Sequence, residues 1–209
     1  SFSYRQWQLI IYDACVYLSD IQFETKTLLD MLRIFGASPS NPPDFKVPVI
    51  DVKAEFKQAK PYIVYFTSAS IENKCWPAKH FADLIKQLAI QYPNYNHIIL
   101  EGLAKWESAD PIMSQISNET EVANVTVKKA MPLDDTPAYP ASAALVLSND
   151  TGIRNLAICC PTQTVGIFYS TVPYRYWPRY GKHDAVFKAD GGIPSVDAVK
   201  ESINKILQS

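Results

Sequence analysis

Two stretches of this 209-residue chain gather side chains able to hold an anion. In the first, Thr67, Ser68 and Ser70 follow an apolar run, Lys74 comes next, and Pro77 opens a helical pattern. Hydroxyls, an ammonium and a helix N-terminus together suit a phosphate group. The same residues also describe an ordinary polar loop with a solvated lysine. In the second, Asp150-Thr151-Gly152 turns from an apolar run into a helical one. Gly152 lets a backbone approach a ligand closely, and the N–H groups freed at the helix start attract negative charge. Asp150 beside such a site binds a hydroxyl or caps the helix; both readings stand.

These loops need strands before them and helices after them. The chain supplies both from about residue 60 onward. Tyr62–Phe66, His97–Leu100, Val122–Val127, Ala144–Ser148, Thr164–Tyr169 and Ala185–Phe187 read as strands. Most are apolar throughout rather than alternating, which predicts burial on both faces. Between them lie helical patterns at Pro77–Ile90, Ala104–Ile116 (broken or started near Pro111), Pro137–Ser142 and Gly152–Cys160, with Ser195 capping a last one. Strands alternating with helices predict an α/β fold: a three-layer, Rossmann-like parallel sheet with helices on both sides. In such folds ligands bind outside the carboxyl ends of the strands, where both anion-holding loops fall.

The first 43 residues read differently. Helical spacing is seen over residues 4–21 and again over Glu24–Phe35, with Gly36 where a C-terminal cap belongs. Three prolines and two serines within Ala37–Asp44 mark a linker. The expected division is residues 1–43 as a helical segment with linker and 44–209 as a ligand-binding domain.

Composition excludes several classes. Twenty basic and 21 acidic residues leave a net charge of −1, so no global field attracts nucleic acid. The aromatic stretch Tyr174–Tyr180, with Arg175 and Arg179, could stack a base but reads better as a cleft loop or plain surface. No apolar run reaches the ~20 residues of a membrane span. Cys15, Cys75, Cys159 and Cys160 form no C-x-x-C pair and read as reduced, partly buried thiols. His80, His97 and His183 share no ligand spacing and read as structural; Asp134-Asp135 reads as a helix start. With only 7 glycines, the chain has neither G-x-G-x-x-G nor a P-loop.

Lys74-Cys75-Trp76-Pro77 followed by Phe81-Ala82-Asp83-Leu84, then Ile98–Gly102, then Asn149-Asp150-Thr151-Gly152 through Leu156-Ala157, then Pro161–Phe168, recur in this order in one family. The chain resembles the carboxyl-terminal, nucleotide-sugar-binding half of the ADP-heptose:lipopolysaccharide heptosyltransferases, enzymes of GT-B architecture. The likeness runs over about residues 60–180. It implies that Ser68, Ser70 and Lys74 hold the diphosphate of a nucleotide sugar, and that Asp150, Thr151 and Gly152 hold sugar and diphosphate. It places Glu107 and Met131 near ribose and base. Asn155 stands where the family has His; it donates a hydrogen bond but carries no charge.

The resemblance further implies no metal and no cofactor, and a general base supplied by an amino-terminal domain. On that reading the chain is an excised or proteolysed fragment, inactive alone, and bears no catalytic residue of its own. The partners would be a nucleotide-sugar donor, a lipopolysaccharide-type or other glycan acceptor and the missing domain, in the cytoplasm or peripherally at the inner membrane. Two alternatives remain: a degenerate nucleotide-sugar-binding module without transfer, and a sugar-nucleotide epimerase of the same architecture.

Overall fold

A computed structural model describes residues 2–3, 12–17, 19–40, 42–45, 58–119, 122–132, 135–160 and 162–209. The chain divides into two compact units. The larger comprises Val47–Thr171 and Gly181–Ser209; the smaller, Ser1–Lys46 and Val172–Tyr180.

The smaller unit holds a parallel pair, β1 (Phe2–Ser3) with β2 (Val16–Tyr17), and helices α1 (Glu24–Ile34) and α6 (Pro173–Tyr176). The helix expected over residues 4–21 is thus absent from its described part, and residues 4–11 lie outside the described residues. Val16-Tyr17 is a β-branched and aromatic pair, which favours pairing with a strand over a helical turn. α1 ends as its sequence demands, with Gly36 at φ +79° just beyond Phe35. The Tyr174–Tyr180 stretch begins as a short helix rather than a loop, because Pro173 presets its first turn. Its cations are occupied within the unit. Arg175 binds Glu24 at 3.0 Å and Asp20 at 3.5 Å, and Arg179 lies 4.0 Å over the Trp177 ring.

The larger unit is a six-stranded, wholly parallel sheet. Its strands are β3 (Tyr62–Phe66), β4 (Asn96–Leu100), β5 (Val125–Lys128), β6 (Leu145–Asn149), β7 (Thr164–Ile167) and β8 (His183–Val186). The order across the sheet is β5-β4-β3-β6-β7-β8. Helices α2 (Ala78–Gln91), α3 (Asp110–Glu119), α4 (Ala138–Ser142), α5 (Gly152–Cys159) and α7 (Val196–Leu207) cover it. The apolar strands bury both faces, as expected. Ile63, Tyr65, Ile99, Leu147 and Val165 enter one core with Phe81, Leu84 and Leu88 of α2 and Val199 and Ile203 of α7. Tyr62, Val64, Ile98, Leu100 and Val146 enter a second with Tyr139 of α4 and Ala157 of α5. This is the three-layer α/β arrangement.

Several boundaries move by one to three residues: the strands expected at Val122–Val127, Thr164–Tyr169 and Ala185–Phe187 run over Val125–Lys128, Thr164–Ile167 and His183–Val186. The pattern at Ala104–Ile116 resolves into a 3-10 turn, Lys105–Glu107, and then α3, because Pro111 fits only a helix's first turn. Pro77 is the N-cap of α2 rather than its first helical residue. Ser195 caps α7 as read, its Oγ accepting from the Ala198 N–H at 3.3 Å. Among the described residues no helix is long and apolar enough to cross a membrane.

Candidate functional site

The sheet order reverses direction between β3 and β6. From β3 the chain moves outward to β4 and β5; from β6 it moves the other way to β7 and β8. At such a switch point the loops after the two central strands splay apart and leave a crevice. Those two loops are the ones whose residue types suit an anion. β3 and β6 pair in register as far as Phe66 with Ser148, so both loops leave the sheet at the same level.

Asn149 ties the loops together. It is wholly buried at the end of β6. Its Nδ2 donates to the Thr67 carbonyl at 2.9 Å and to the Ser68 carbonyl at 3.2 Å. Its Oδ1 accepts from the Trp76 N–H at 2.9 Å. Trp76 is buried too, its indole N–H reaching the Pro194 carbonyl at 2.9 Å and its ring lying edge-on to Phe81 at 4.9 Å. The chain from Thr67 to Trp76 is therefore pinned at both ends. Between the pins, Lys74 closes a 3-10 turn, Glu72–Lys74, and stays half-buried, while Ser70 is exposed. Ser68 is buried, and its Oγ has no hydrogen-bond partner among the described residues.

The start of α5 has the same character. Thr151 is its N-cap, extended at φ −143°, yet its side chain makes no cap bond, and its Oγ1 is buried without a partner among the described residues. Thr151 thus leaves the first N–H groups of α5 without a cap bond from its side chain, a condition that favours anion binding at a helix N-terminus. A Cβ built on Gly152 would meet nothing within 4 Å, so the space before it is open. Asp150 is not the cap. Its carboxylate accepts from the Thr171 hydroxyl at 2.8 Å. Asn155 is exposed on α5.

Arg154, also on α5, carries no signal in the sequence beyond an amphipathic helix, yet it is fully buried. Its guanidinium lies 5.1 Å over the Phe168 ring, and a Cβ on Gly166 would come within 2.5 Å of its Nε. Burial draws it down to about 10, while Asp150 favours the charged form. His183 is held down to about 4 by burial and by Arg154. Cation and helix N-terminus both raise the potential at this edge of the sheet.

Glu107 and Met131 sit on the loops after β4 and β5. The Glu107 carboxylate accepts the Ala104 N–H at 2.8 Å, and Glu107 also helps push up the Cys75 thiol, which burial raises first. Met131 packs on the second core with Phe66. The structure therefore gathers Ser68, Lys74, Asp150, Thr151 and Gly152 around the switch point, with Glu107 beside the first loop and Met131 beside the end of β3. In the sequence Asn149 and Trp76 stand out only as motif residues, with no role of their own, and Arg154 is not singled out. His97 bonds Tyr65 at 2.7 Å and His183 bonds Thr164 at 3.0 Å inside the fold, as structural histidines do. All four cysteines are free.

The family model for glycosyltransferase family 9 (heptosyltransferase) matches residues 29–205. Lipopolysaccharide heptosyltransferase 1 of Campylobacter coli is 25% identical over 130 residues, 61% of this chain and 37% of that protein. The E. coli heptosyltransferase WaaC, solved with ADP-2-deoxy-2-fluoro heptose, superposes with a TM-score of 0.72 at 19% identity, over 94% of this chain and 60% of its own. A glycosyltransferase family 9 structure from Veillonella parvula superposes at 0.69 and 15% identity, over 100% of this chain and 67% of its own. The chain thus spans little more than a third of the curated relative.

Proposed function

The chain belongs to glycosyltransferase family 9, and we propose that it is the donor half of a GT-B enzyme that moves the sugar of an ADP-heptose-like nucleotide onto lipopolysaccharide or a related cell-surface glycan. One observation carries this reading. Two buried hydroxyls without partners among the described residues, Ser68 Oγ and Thr151 Oγ1, border the switch-point loops that Asn149 locks together.

In this reading Ser68, Ser70 and Lys74 grip the diphosphate. Thr151, Gly152 and the first N–H groups of α5 complete that grip, and Asp150 turns from Thr171 to a sugar hydroxyl. Glu107 and Met131 border the nucleoside. An acceptor hydroxyl attacks the anomeric carbon, the bond from that carbon to the diphosphate oxygen breaks, and the nucleoside diphosphate leaves with the electron pair. Donors already aimed at those oxygens stabilise the developing charge without reorganising. The acceptor's proton goes to a carboxylate of a preceding domain, which residues 1–43 adjoin. The reaction belongs in the cytoplasm or at the inner membrane face.

A second reading, binding without transfer, draws support from Asn155, which is exposed and uncharged where the resemblance expects His. Calorimetric titration with ADP, UDP, GDP and their sugars tests the first premise. Saturable binding of one diphosphate supports a donor site and names its base; binding of none overturns it. Sugar release by the protein joined to its preceding domain then separates transferase from binding module.

A further inference from the structure

The loop from Glu101 to Ala109, which follows β4, is built tightly. Glu101 is buried, and its carboxylate accepts the Ala109 N–H at 2.8 Å, the Lys129 ammonium at 2.9 Å and the Ser108 hydroxyl at 3.3 Å. Burial alone would raise this carboxyl, but those partners hold it below its ordinary value. Inside the loop Glu107 takes the Ala104 N–H, and Gly102 is the residue that makes room for it, since a Cβ there would overlap the Glu107 carboxylate.

A loop so well satisfied in its polar groups nevertheless presents its apolar ones to solvent. Trp106 is 52% exposed and Leu103 is 90% exposed. An aromatic ring anchored through its N–H, with its face left open, offers a surface on which a planar ligand can stack. The ring is also placed. Its indole N–H donates to the Ala69 carbonyl at 3.4 Å, and Ala69 lies between Ser68 and Ser70.

A diphosphate lying between the loops of β3 and β6 must send its nucleoside to one side. Toward β7, the rim side chains are turned inward: the Tyr169 hydroxyl to the Asn73 carbonyl at 3.4 Å and Thr171 to Asp150. Toward β4, the neighbouring strand, stands the open indole.

We infer that the indole of Trp106 is the platform on which the base of the donor nucleotide stacks. This rests on the donor-site reading above. Stacking needs only a π-face, so it accepts any base and holds the larger purine ring more firmly than a pyrimidine.

The test titrates the chain and its W106A, W106L and W106F variants with inorganic pyrophosphate, ADP and UDP, with thermal midpoints measured alongside. The expected result is a loss on the order of tenfold in ADP affinity for W106A and W106L, a smaller loss for UDP, and near-wild-type ADP binding by W106F. Pyrophosphate affinity stays the same in all four proteins. ADP affinity unchanged in W106A overturns the stacking role. So does a parallel loss of pyrophosphate affinity, which marks the ring as loop scaffolding, or a loss confined to sugar nucleotides, which places the ring against the sugar. A wild-type chain that binds neither pyrophosphate nor ADP overturns the donor-site reading, and the platform with it.

Discussion

The two halves of the switch point are built on opposite terms. Asn149 and Trp76 are buried and fully engaged: three hydrogen bonds to one amide, an indole N–H on a carbonyl, a ring packed against Phe81. Ser68 and Thr151, in the same two loops, carry buried hydroxyls that no described residue meets. A protein interior rarely leaves such groups unmatched. The first pair holds the loops at a fixed separation; the second is what that separation presents. Substitutions should therefore divide cleanly, one set lowering stability and the other lowering nucleotide affinity.

The largest expected effect lies in the framework. Trp76→Ala should cost about 4 kcal/mol of stability, read from urea denaturation, because it empties a packed site and frees both loops. A small loss would mean the loops do not depend on this anchor.

Acidification acts on the framework away from the crevice. Burial lowers His97 and His183 to about 4 in the folded chain, against about 6.5 when unfolded. Between those values the unfolded state binds more protons, so stability is full above pH 6.5 and falls as pH drops toward 4. The urea midpoint should follow that slope, and His97→Gln should flatten part of it. A midpoint that stays level to pH 4.5 would contradict the buried, neutral histidines.

On the presenting side, Lys74→Ala should weaken nucleoside diphosphate binding by about 2 kcal/mol, the size of a charge-assisted contact. Its thermal midpoint should barely move. Unchanged affinity in a calorimeter would remove Lys74 from the site. The finest cut is Gly152→Ala. Its new methyl enters open space, so stability should hold or rise slightly, while calorimetry should read a several-fold loss of affinity where the ligand comes closest. Equal losses in stability and affinity would erase the division between the two halves.

Most of the larger unit can be read from the chain because its signals are local. Tyr62–Phe66 and Leu145–Asn149 are short apolar runs that end in polar loops, and a parallel sheet places such loops on one edge. What stays hidden depends on distant partners. Asn149 reads as one letter of a motif until the sheet brings Thr67, Ser68 and Trp76 to its amide, some 73 to 82 residues away in sequence. Arg154 looks like the polar face of a helix, since the strand that buries it comes later in the chain. β2 and α6 are two and four residues long, shorter than any periodicity can register.

Gly166 and Arg154 have a consequence for anyone redesigning this sheet. A glycine in the middle of a strand weakens it, and substituting Val or Thr there is the usual remedy. Here the missing side chain is the channel through which the arginine runs. Position 166 gives up its volume to residue 154 and to the Phe168 ring, which a Cβ there would meet at 2.7 Å. Strengthening the strand at 166 requires shortening 154 and moving the Phe168 ring in the same step, and the first of these withdraws a buried positive charge from the first helical turns behind the crevice. Stability of the strand and potential at this edge of the sheet are in this molecule two settings of one dial.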